Sequence, residues 1–433
     1  MSSVRLKLPK DDSWKSECYQ KVLWFTNGFM KVKVKVKFSQ SCQTLCNPMN
    51  YTVHMKSKPV NEEKRFIFHR NFVLVLVMGV VLFGLSVYCW LKPEDKFSES
   101  ERRVLKSFPK LTAETIINGK FMKEFEDYSV DQFPFREEFR TLKAYASYGL
   151  LGKKDNNGIY MTEGHLSKIE YPMQISMLDN AAIRMEEIYN LYLRDENSKC
   201  YFSIVPDKNF YLAKENGYPA MDYDNLFSYM KEKVDFAKYI DITGLLDLQD
   251  YYKTDTHWRQ EKIVDVAQFL QMEMSGATPD TKYEVKEVPV PFYGVYCGQS
   301  ALSVEPDKLY YLESEALRDC IVTSYDTGKP LPTNIYNMEK VLGHDAYEMF
   351  LSGTSALQVI ENPKAENQKE LIVFRDSFGS SLVPLLVEEY SKITVIDTRY
   401  VQSKMLGNLV DFHGQDTLFI YSTIILNNSM SLR

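Results

Sequence analysis

Cysteine is scarce in the part of the chain that reads as globular, and this excludes two kinds of stabilising site. The sequence has seven cysteines, of which only Cys200, Cys297 and Cys320 follow its long apolar run. Three scattered cysteines make neither a disulfide framework nor the paired spacing of a zinc site, and they allow at most one bridge. We therefore expect neither a disulfide scaffold nor a structural metal centre.

The sequence also has little net charge, no internal repeat and no low-complexity tract. The net charge is −6 over 433 residues, so the strongly basic surface that nucleic acids bind is not expected. Hydrophobic residues make up 45% of the chain and aromatic residues 13%, with tyrosine the commonest aromatic. This composition is typical of a folded protein with a polar surface suited to carbohydrate.

One apolar run is long enough to cross a membrane. Residues 72–91 contain no charged side chain, and a helix of that length extends about 30 Å. A cleaved signal peptide is the alternative, but its apolar core is usually shorter, at ~7–15 residues. Tyr88, Trp90 and Lys92 resemble interface anchors, and Pro93 ends the helix. We therefore expect an uncleaved single-pass anchor.

Basic residues set the expected orientation of this anchor. Basic residues dominate before the run, at Lys56, Lys58, Lys64, Arg65 and Arg70. The two lysines that follow the run are mixed with acidic residues. The excess predicts a cytoplasmic N-terminus and an extracytoplasmic main domain at the cell membrane.

Composition and pattern divide the chain into five segments. Residues 1–54 read as an atypical N-terminal extension, interpreted as a misplaced start, and 55–71 as a short cytosolic tail. The anchor occupies 72–91, a helical stem 92–154, and the main domain 155–433. The alternative for the stem is that it forms the first layer of the main domain.

Strands alternate with helices throughout the main domain. Short apolar strands are predicted at 200–206, 370–378, 392–400 and 417–423, with amphipathic helices such as 174–194 and 261–274. This alternation predicts an α/β fold with a largely parallel sheet.

A buried strand followed by a sharp turn contains the first candidate catalytic residue. Residues 371–374 are apolar, and the chain then turns through 375–379 into a helix. Ser377 is therefore expected at the carboxyl end of a parallel strand and near a helix N-terminus, where N–H groups favour a developing oxyanion. A nucleophilic serine needs these surroundings, although an ordinary helix N-cap is the alternative.

A histidine two residues after an aspartate is the second signal. Asp255 and His257 would point to the same side of an extended segment, so the carboxylate can orient one ring nitrogen while the other faces a serine. A metal pair or an N-cap is the alternative, although no further His/Cys cluster accompanies the motif. The two signals together predict a triad of Ser377, His257 and Asp255.

These segments resemble the DHHW family of anchored proteins from low-GC Gram-positive bacteria. That family is grouped with the SGNH-hydrolase-like proteins that include the periplasmic alginate O-acetyltransferases. The resemblance runs from the anchor to the end of the chain and is carried by FSESERRVL (97–105), DQFPFRE (131–137), VPDKNFYL (205–212), DYYKTDTHW (250–258), FRDSFGSS (374–381) and IYSTIILNNS (420–429). It implies a three-layer, SGNH-hydrolase-like (flavodoxin-like) α/β domain with a mainly parallel sheet.

The resemblance also implies the roles of residues. In the acetyltransferase relatives the Asp and His of the D-x-H motif and the Ser of the DSF motif form the triad, and these roles carry over to Asp255, His257 and Ser377. Because the serine comes last, the motif order is circularly permuted relative to ordinary SGNH esterases. Thr256 stands where the family name implies His, so this position is not expected to be chemical. Arg375 replaces the glycine usual in the esterase turn.

Four residues are weaker candidates for contacts with substrate or oxyanion. Arg375 would bind substrate or brace the aspartate beside it. Gly294 and Gly298 would let a second oxyanion donor approach, in addition to the N–H of Ser377. Lys208 follows a strand and would line the site, although a solvated surface position is the commoner one for lysine.

These observations predict a membrane-anchored serine acyltransferase or esterase that O-acetylates an exported or cell-surface polysaccharide through an acyl-Ser377 intermediate. Because acetyl-CoA is absent outside the cell, a multi-span membrane acyltransferase would supply the acetyl group. No cofactor, metal or nucleic acid is expected. The alternative is a non-catalytic glycan-binding or envelope-assembly protein on the same fold. Phosphodiester chemistry would need metal ligands that the sequence does not offer.

Overall fold

The computed structural model describes the backbone of residues 22–27, 30–35, 60–194, 196, 198–277 and 280–433, and side chains from residue 66 onward. Most of the expected extension at 1–54 lies outside these residues, and its described part is an antiparallel hairpin in which Val22 pairs with Lys35. By its internal contacts the chain divides into two units, Met1–Gly79 and Val80–Arg433. The expected segment boundaries stay predictions.

Helices and strands alternate along most of the described chain. The α-helices of the described residues are α1 (Val60–Leu91), α2 (Ala113–Ile117), α3 (Lys120–Asp131), α4 (Arg136–Tyr145), α5 (Ile175–Ile188), α6 (Lys208–Asn216), α7 (Tyr223–Lys233), α8 (Val264–Ser275), α9 (Val295–Ser300), α10 (Glu315–Asp319), α11 (Gly379–Leu382) and α12 (Thr423–Leu426). Their strands are β1 (Val22–Asn27), β2 (Met30–Lys35), β3 (Phe97–Ser98), β4 (Arg103–Val104), β5 (Ile159–Thr162), β6 (His165–Lys168), β7 (Cys200–Val205), β8 (Lys238–Tyr239), β9 (Glu284–Phe292), β10 (Asp307–Glu313), β11 (Ile321–Ser324), β12 (Leu331–Thr333), β13 (Leu357–Glu361), β14 (Glu370–Arg375), β15 (Lys392–Ile396) and β16 (Asp416–Ser422). A 3₁₀ segment, Val383–Glu389, continues α11.

Helix α1 contains the expected membrane span. By length and composition, Phe66–Leu91 can cross a membrane, and the side chains of its most apolar window are not buried within the protein. The helix begins at Val60, earlier than residue 72, because the charged residues just before the apolar run are also good helix formers. It ends at Leu91, as the following proline predicts.

Within its described residues, the stem contains three short α-helices. Thr112 caps α2 through reciprocal hydrogen bonds with Thr115. The chain then leaves the helical conformation at Gly119, whose φ of 74° is left-handed. The helical stem is therefore divided here into α2 and α3.

An eight-stranded sheet organises the main domain, in the order β12-β11-β13-β15-β14-β16-β7-β8. The five strands from β15 to β8 run parallel, whereas β13, β11 and β12 extend the sheet by antiparallel pairing. The mainly parallel sheet is confirmed. The antiparallel edge was not predicted, because its strands are only three to five residues long and carry little periodic signal.

Two apolar cores lie on opposite faces of this sheet. Along β14, Leu371 and Val373 belong to one core and Ile372 and Phe374 to the other, because successive side chains of a strand point to opposite faces. Helix α8 and the 3₁₀ segment after α11 cover the first face, and helices α5 and α7 cover the second. This is the expected three-layer α/β arrangement with a mainly parallel sheet.

Candidate active site

Ser377 lies in the turn between β14 and α11. The strand ends at Arg375, and the helix begins at Gly379. A Cβ atom at Gly379 would come within 2.6 Å of Arg375 Cβ, so this tight turn requires glycine. The N-cap of α11 is Phe378, without a side-chain hydrogen bond. The structure therefore does not give Ser377 the capping role of the alternative interpretation.

The D-T-H motif lies in a closed loop and not in the extended segment that was expected. Tyr251 and Trp258 pair across the base of the loop, and Asp255 Oδ1 accepts the N–H of His257 (3.1 Å). Aspartate side chains often bond to the backbone two residues on in tight turns. Trp258 ties the loop to the serine turn, because its Nε1–H donates to the carbonyl of Phe378 (3.0 Å).

The loop and the turn bring the three predicted catalytic residues into one hydrogen-bonded line. His257 Nδ1 lies 2.6 Å from Asp255 Oδ1, and His257 Nε2 lies 2.8 Å from Ser377 Oγ. Asp255 is fully buried and His257 nearly so, whereas Ser377 is half-buried. With a proton on Nδ1 donated to the carboxylate, Nε2 can accept the serine proton. The arrangement meets the geometric requirement for an activated serine, and the catalytic role stays a prediction.

Aromatic side chains hold the plane of the His257 ring. The Tyr347 ring stacks on it with centroids 3.9 Å apart and planes 6° apart, and the Phe378 ring lies at 5.0 Å. The Tyr347 hydroxyl is 2.8 Å from Ser381 Oγ. Because the hydroxyl of Tyr347 is held by Ser381 and its ring covers the imidazole, Tyr347 restricts rotation of the imidazole away from the serine.

The second carboxylate oxygen of Asp255 also faces donors. Oδ2 accepts the N–H of Val295 (2.8 Å) and lies 3.5 Å from Arg102 Nη1. Burial alone would raise the pKa of Asp255, but the charge and hydrogen bond of His257, followed by the charge of Arg102, hold this pKa below its usual range. Asp255 is therefore ionised at neutral pH, as an orienting carboxylate must be.

A second carboxyl group lies beside Arg102. Arg102 Nη1 donates to Asp345 Oδ2 (2.6 Å). Burial, followed by the negative charge of Asp255, raises the pKa of Asp345 to about 6, although Arg102 opposes this. Asp345 and Tyr347 lie in no recognisable local motif, and Arg102 lies within the FSESERRVL segment.

Arg375 is buried beside the site and does not face solvent. It is 1% exposed, its Nη1 donates to the carbonyl of Asp376 (3.3 Å), and its Nη2 donates to the carbonyl of Gly353 (3.4 Å). Burial lowers the pKa of Arg375, and the nearby Asp397 opposes this effect. Of its two expected roles, the structure supports bracing of the turn and not contact with substrate.

The two glycines of the predicted oxyanion loop have packing roles. A Cβ atom at Gly294 would lie 2.4 Å from the backbone of Asp255, and one at Gly298 would lie 1.5 Å from the carbonyl oxygen of Ser100. The N–H of Gly294 donates to Thr254 Oγ1 (2.9 Å), so it is engaged in the structure. The loop therefore supports Asp255 from behind, which corrects the expectation that Gly294 admits an oxyanion donor.

Lys208 is buried. The alternative prediction, a solvated position on the surface, is therefore wrong. Lys208 is 2% exposed, and its Nζ donates to the carbonyls of Tyr252 (2.9 Å) and Lys253 (3.2 Å). These carbonyls belong to the loop that carries Asp255. Lys208 therefore stabilises the D-T-H loop from below and does not line an open site.

Replacing Lys208 by methionine is expected to change how stability depends on pH. Burial lowers the pKa of Lys208 to about 7, whereas in an unfolded chain it is about 10.4. Between these values the unfolded chain binds the extra proton, so Lys208 makes the wild type relatively more stable as pH rises from 7 to 9, by on the order of 2 kcal/mol. Unfolding of both full-length proteins in detergent measures the difference. Parallel stability profiles for the two proteins would contradict this prediction.

The described residues offer no recognisable metal centre. Within them, no group of three or more His, Cys, Asp or Glu side chains is arranged to hold a metal ion.

Comparisons with known proteins agree with the fold and with the motifs. A family model described as DHHW protein matches residues 225–396. A search of curated proteins gave no match.

Solved structures share the fold at low sequence identity. A DHHW family protein from Eubacterium siraeum is 20% identical, with a TM-score of 0.50 over 64% of this chain and 95% of that one. Bacillus cereus PatB1, solved with a sulfonyl adduct, is 19% identical, with a TM-score of 0.51 over 62% of this chain and 95% of its own. The O-acetyltransferase domain of Pseudomonas putida AlgJ is more distant, at 13% identity and a TM-score of 0.39 over 62% and 92% of the two chains. The chain therefore resembles the DHHW proteins in the matched segment and in its fold.

Proposed function

We propose that the protein is a serine acyltransferase that moves an acetyl group onto a polysaccharide hydroxyl through an acyl-Ser377 intermediate. The observation that carries this proposal is the continuous line from Asp255 through His257 to Ser377 Oγ, with both distances within hydrogen-bond reach.

In the first half of the reaction, His257 Nε2 takes the proton of Ser377 Oγ as that oxygen attacks the carbonyl carbon of an acetyl donor. Asp255 stabilises the imidazolium that forms. The tetrahedral intermediate expels the donor's leaving group, which receives the proton from Nε2. Ser377 is left as an acetyl ester.

In the second half, a sugar hydroxyl attacks the acetyl carbonyl while Nε2 takes its proton. Ser377 Oγ leaves and recovers that proton, so the enzyme is regenerated. Attack by water in place of the sugar makes the same site an esterase.

Stabilisation of the oxyanion is proposed to come from the N–H of Ser377, which lies where the turn enters α11. The neighbouring N–H groups are engaged, because Phe378 N donates to Asp376 Oδ1 (2.9 Å) and Gly379 N to the carbonyl of Asp376 (3.1 Å). Such bonds hold the turn rigid, and a fixed donor is more effective than one that must reorient.

We propose that the site lies outside the cytoplasm, with the chain anchored by α1 and its N-terminus inside. Exposed apolar side chains on the stem support a position near the membrane. Phe139 and Leu142 lie on one face of α4, and Phe135 directly precedes the helix. Their side chains are 46%, 63% and 56% exposed, respectively, an arrangement that is unusual in water.

The donor and acceptor are proposed from this location. Because acetyl-CoA is not available outside the cell, a multi-span membrane acyltransferase is the proposed partner that delivers the acetyl group, and an exported or cell-surface polysaccharide is the proposed acceptor. The sulfonyl adduct reported for the structurally similar PatB1 supports the choice of a sulfonyl reagent as a probe.

The full-length protein in detergent micelles tests this function directly. With 4-nitrophenyl acetate as donor, we expect an acetyl adduct on Ser377 by mass spectrometry of tryptic peptides. Phenylmethylsulfonyl fluoride should label the same residue. Adding chito-oligosaccharides then separates transfer, in which acetylated sugar accumulates, from hydrolysis, in which only acetate does. Wild-type protein in which neither reagent modifies Ser377 would refute the proposal.

A further inference from the structure

Arg102 reaches the site from a segment expected to be only a stem. It lies at the tip of the β3–β4 hairpin, between Ser98 and Arg103, and its φ of 52° is left-handed. That conformation is uncommon for a residue with a side chain, and it costs free energy that the surroundings must supply. The hairpin packs closely on the main domain. The carbonyl of Ser100 lies against Gly298, where there is no room for a Cβ atom.

The Arg102 guanidinium bridges three separate parts of the main domain. Nη1 donates to Asp345 Oδ2 (2.6 Å) and lies 3.5 Å from Asp255 Oδ2. Nη2 donates to the carbonyl of Tyr293 (2.7 Å). A planar group with fixed donors can hold three acceptors in one geometry, which an ammonium on a flexible chain cannot do.

Each residue that Arg102 contacts is connected to His257 through further contacts. Asp255 fixes the Nδ1 side of the ring directly. Tyr293 precedes the turn in which Val295 N donates to Asp255 Oδ2 (2.8 Å). Asp345 Oδ1 accepts the N–H of Tyr347 (3.0 Å), and Tyr347 is the ring that stacks on the imidazole.

Ion pairs within the stem hold the hairpin that carries Arg102. Glu101 pairs with Arg136 and with Arg140 (3.2 Å), both on α4. Arg103 Nη1 donates to Asp131 Oδ2 (2.8 Å) at the end of α3. The position of the Arg102 guanidinium is therefore set by the stem helices as well as by the main domain.

We propose that Arg102 is a positioning residue for His257, supplied by the membrane-proximal stem, so that the stem completes the active site. This inference rests on the proposed acyl transfer. It makes the stem part of the catalytic unit and not a spacer, because displacing the hairpin would release three supports of the imidazole together.

Because Arg102 is charged, its removal should also change how the reaction rate depends on pH. Loss of structural support alone would not do this. Arg102 is the cation between the carboxylates of Asp255 and Asp345, with His257 and the buried Lys208 nearby. Without it the two carboxylates repel each other, and the pKa of Asp345, already raised to about 6, rises further. Because protonation weakens the hydrogen bond from Tyr347 N to Asp345, the acid limb of the pH–rate profile should move to higher pH.

The test compares Arg102→Gln, Arg102→Lys and the matched control Arg194→Gln in the full-length protein. The measured quantity is the rate at which phenylmethylsulfonyl fluoride modifies Ser377, followed from pH 5 to 9. We expect Arg102→Gln to lower this rate about 100-fold at pH 7 and to move the acid limb upward by about one pH unit. Arg102→Lys keeps the charge, so it should lose roughly tenfold without moving the limb.

Arg194→Gln removes an exposed guanidinium that follows α5, where Nη1 donates to Asn190 Oδ1 (3.4 Å), away from the hairpin and the site. It should leave the rate within about threefold of wild type. Equal rates and limbs for Arg102→Gln and wild type would overturn the proposal, as would equal losses in the two glutamine variants with unmoved limbs. If Arg102→Gln does not fold, Arg102→Lys decides: a wild-type rate overturns the positioning role. A wild-type Ser377 that no reagent modifies refutes the proposed function itself, which is a distinct result.

Discussion

Replacing Ser377 by alanine is expected to abolish acyl-adduct formation and to lower acetyl transfer by at least ~10³-fold. The substitution removes the oxygen that lies 2.8 Å from His257 Nε2, so no acyl-Ser377 intermediate can form. The turn itself should survive, because its hydrogen bonds come from the carboxylate and carbonyl of Asp376. Mass spectrometry of the Ser377 peptide and release of 4-nitrophenol from 4-nitrophenyl acetate measure both effects.

Ser380 offers a matched control in the same turn. It is 2% exposed and stands one helical turn beyond Ser377, so Ser380→Ala removes the same atom from a similar environment. We expect the control to keep the adduct and a rate within about threefold of wild type. Full turnover by Ser377→Ala, or an equal loss in both variants, would contradict nucleophilic catalysis by Ser377.

Local pattern predicted the centre of the fold well, because its strands are buried on both faces. The apolar run at 371–374 and the glycine-containing turn after it read directly as a strand entering a helix. By contrast, β9 was not predicted, since Pro289 and Pro291 lie within it. Proline is tolerated at a sheet edge, and β9 pairs only with β10 in a separate two-stranded sheet. A strand of this kind is therefore difficult to predict from the sequence.

The candidate site was predictable only where its residues carry local signals. Asp255, His257 and Ser377 each lie in a short motif with its own chemistry. Arg102 lies 153 positions from Asp255 and 243 from Asp345, so nothing local connects them. The burial of Lys208 could not be predicted either. Two backbone carbonyls accept hydrogen bonds from its ammonium group, and because every residue has a backbone carbonyl, the sequence does not indicate which ones will do so.

The environment of Asp255 leaves an amide no satisfactory orientation. Oδ1 faces two donors, the backbone N–H and Nδ1 of His257. Oδ2 also faces two, the N–H of Val295 and Nη1 of Arg102. An asparagine has one acceptor oxygen and one donor NH₂ group. In either orientation, therefore, its NH₂ group would face hydrogen-bond donors on one side. Because Arg102 is a cation, the amide oxygen should turn towards it, and the NH₂ group then faces His257.

That orientation predicts a severe loss for Asp255→Asn. With NH₂ beside it, Nδ1 of His257 must accept a hydrogen bond, so the ring proton moves to Nε2 and points at Ser377. An imidazole in that tautomer cannot take the serine proton, and we expect acylation of Ser377 at pH 7 to fall by ~10³–10⁴-fold. The rate of 4-nitrophenol release measures this loss. Thr256→Val, a change between the two motif residues, should stay within about threefold of wild type, because the Thr256 hydroxyl accepts from the Tyr296 hydroxyl (3.1 Å) and not from the triad. A loss below tenfold in Asp255→Asn would show that His257 keeps its tautomer without the carboxylate.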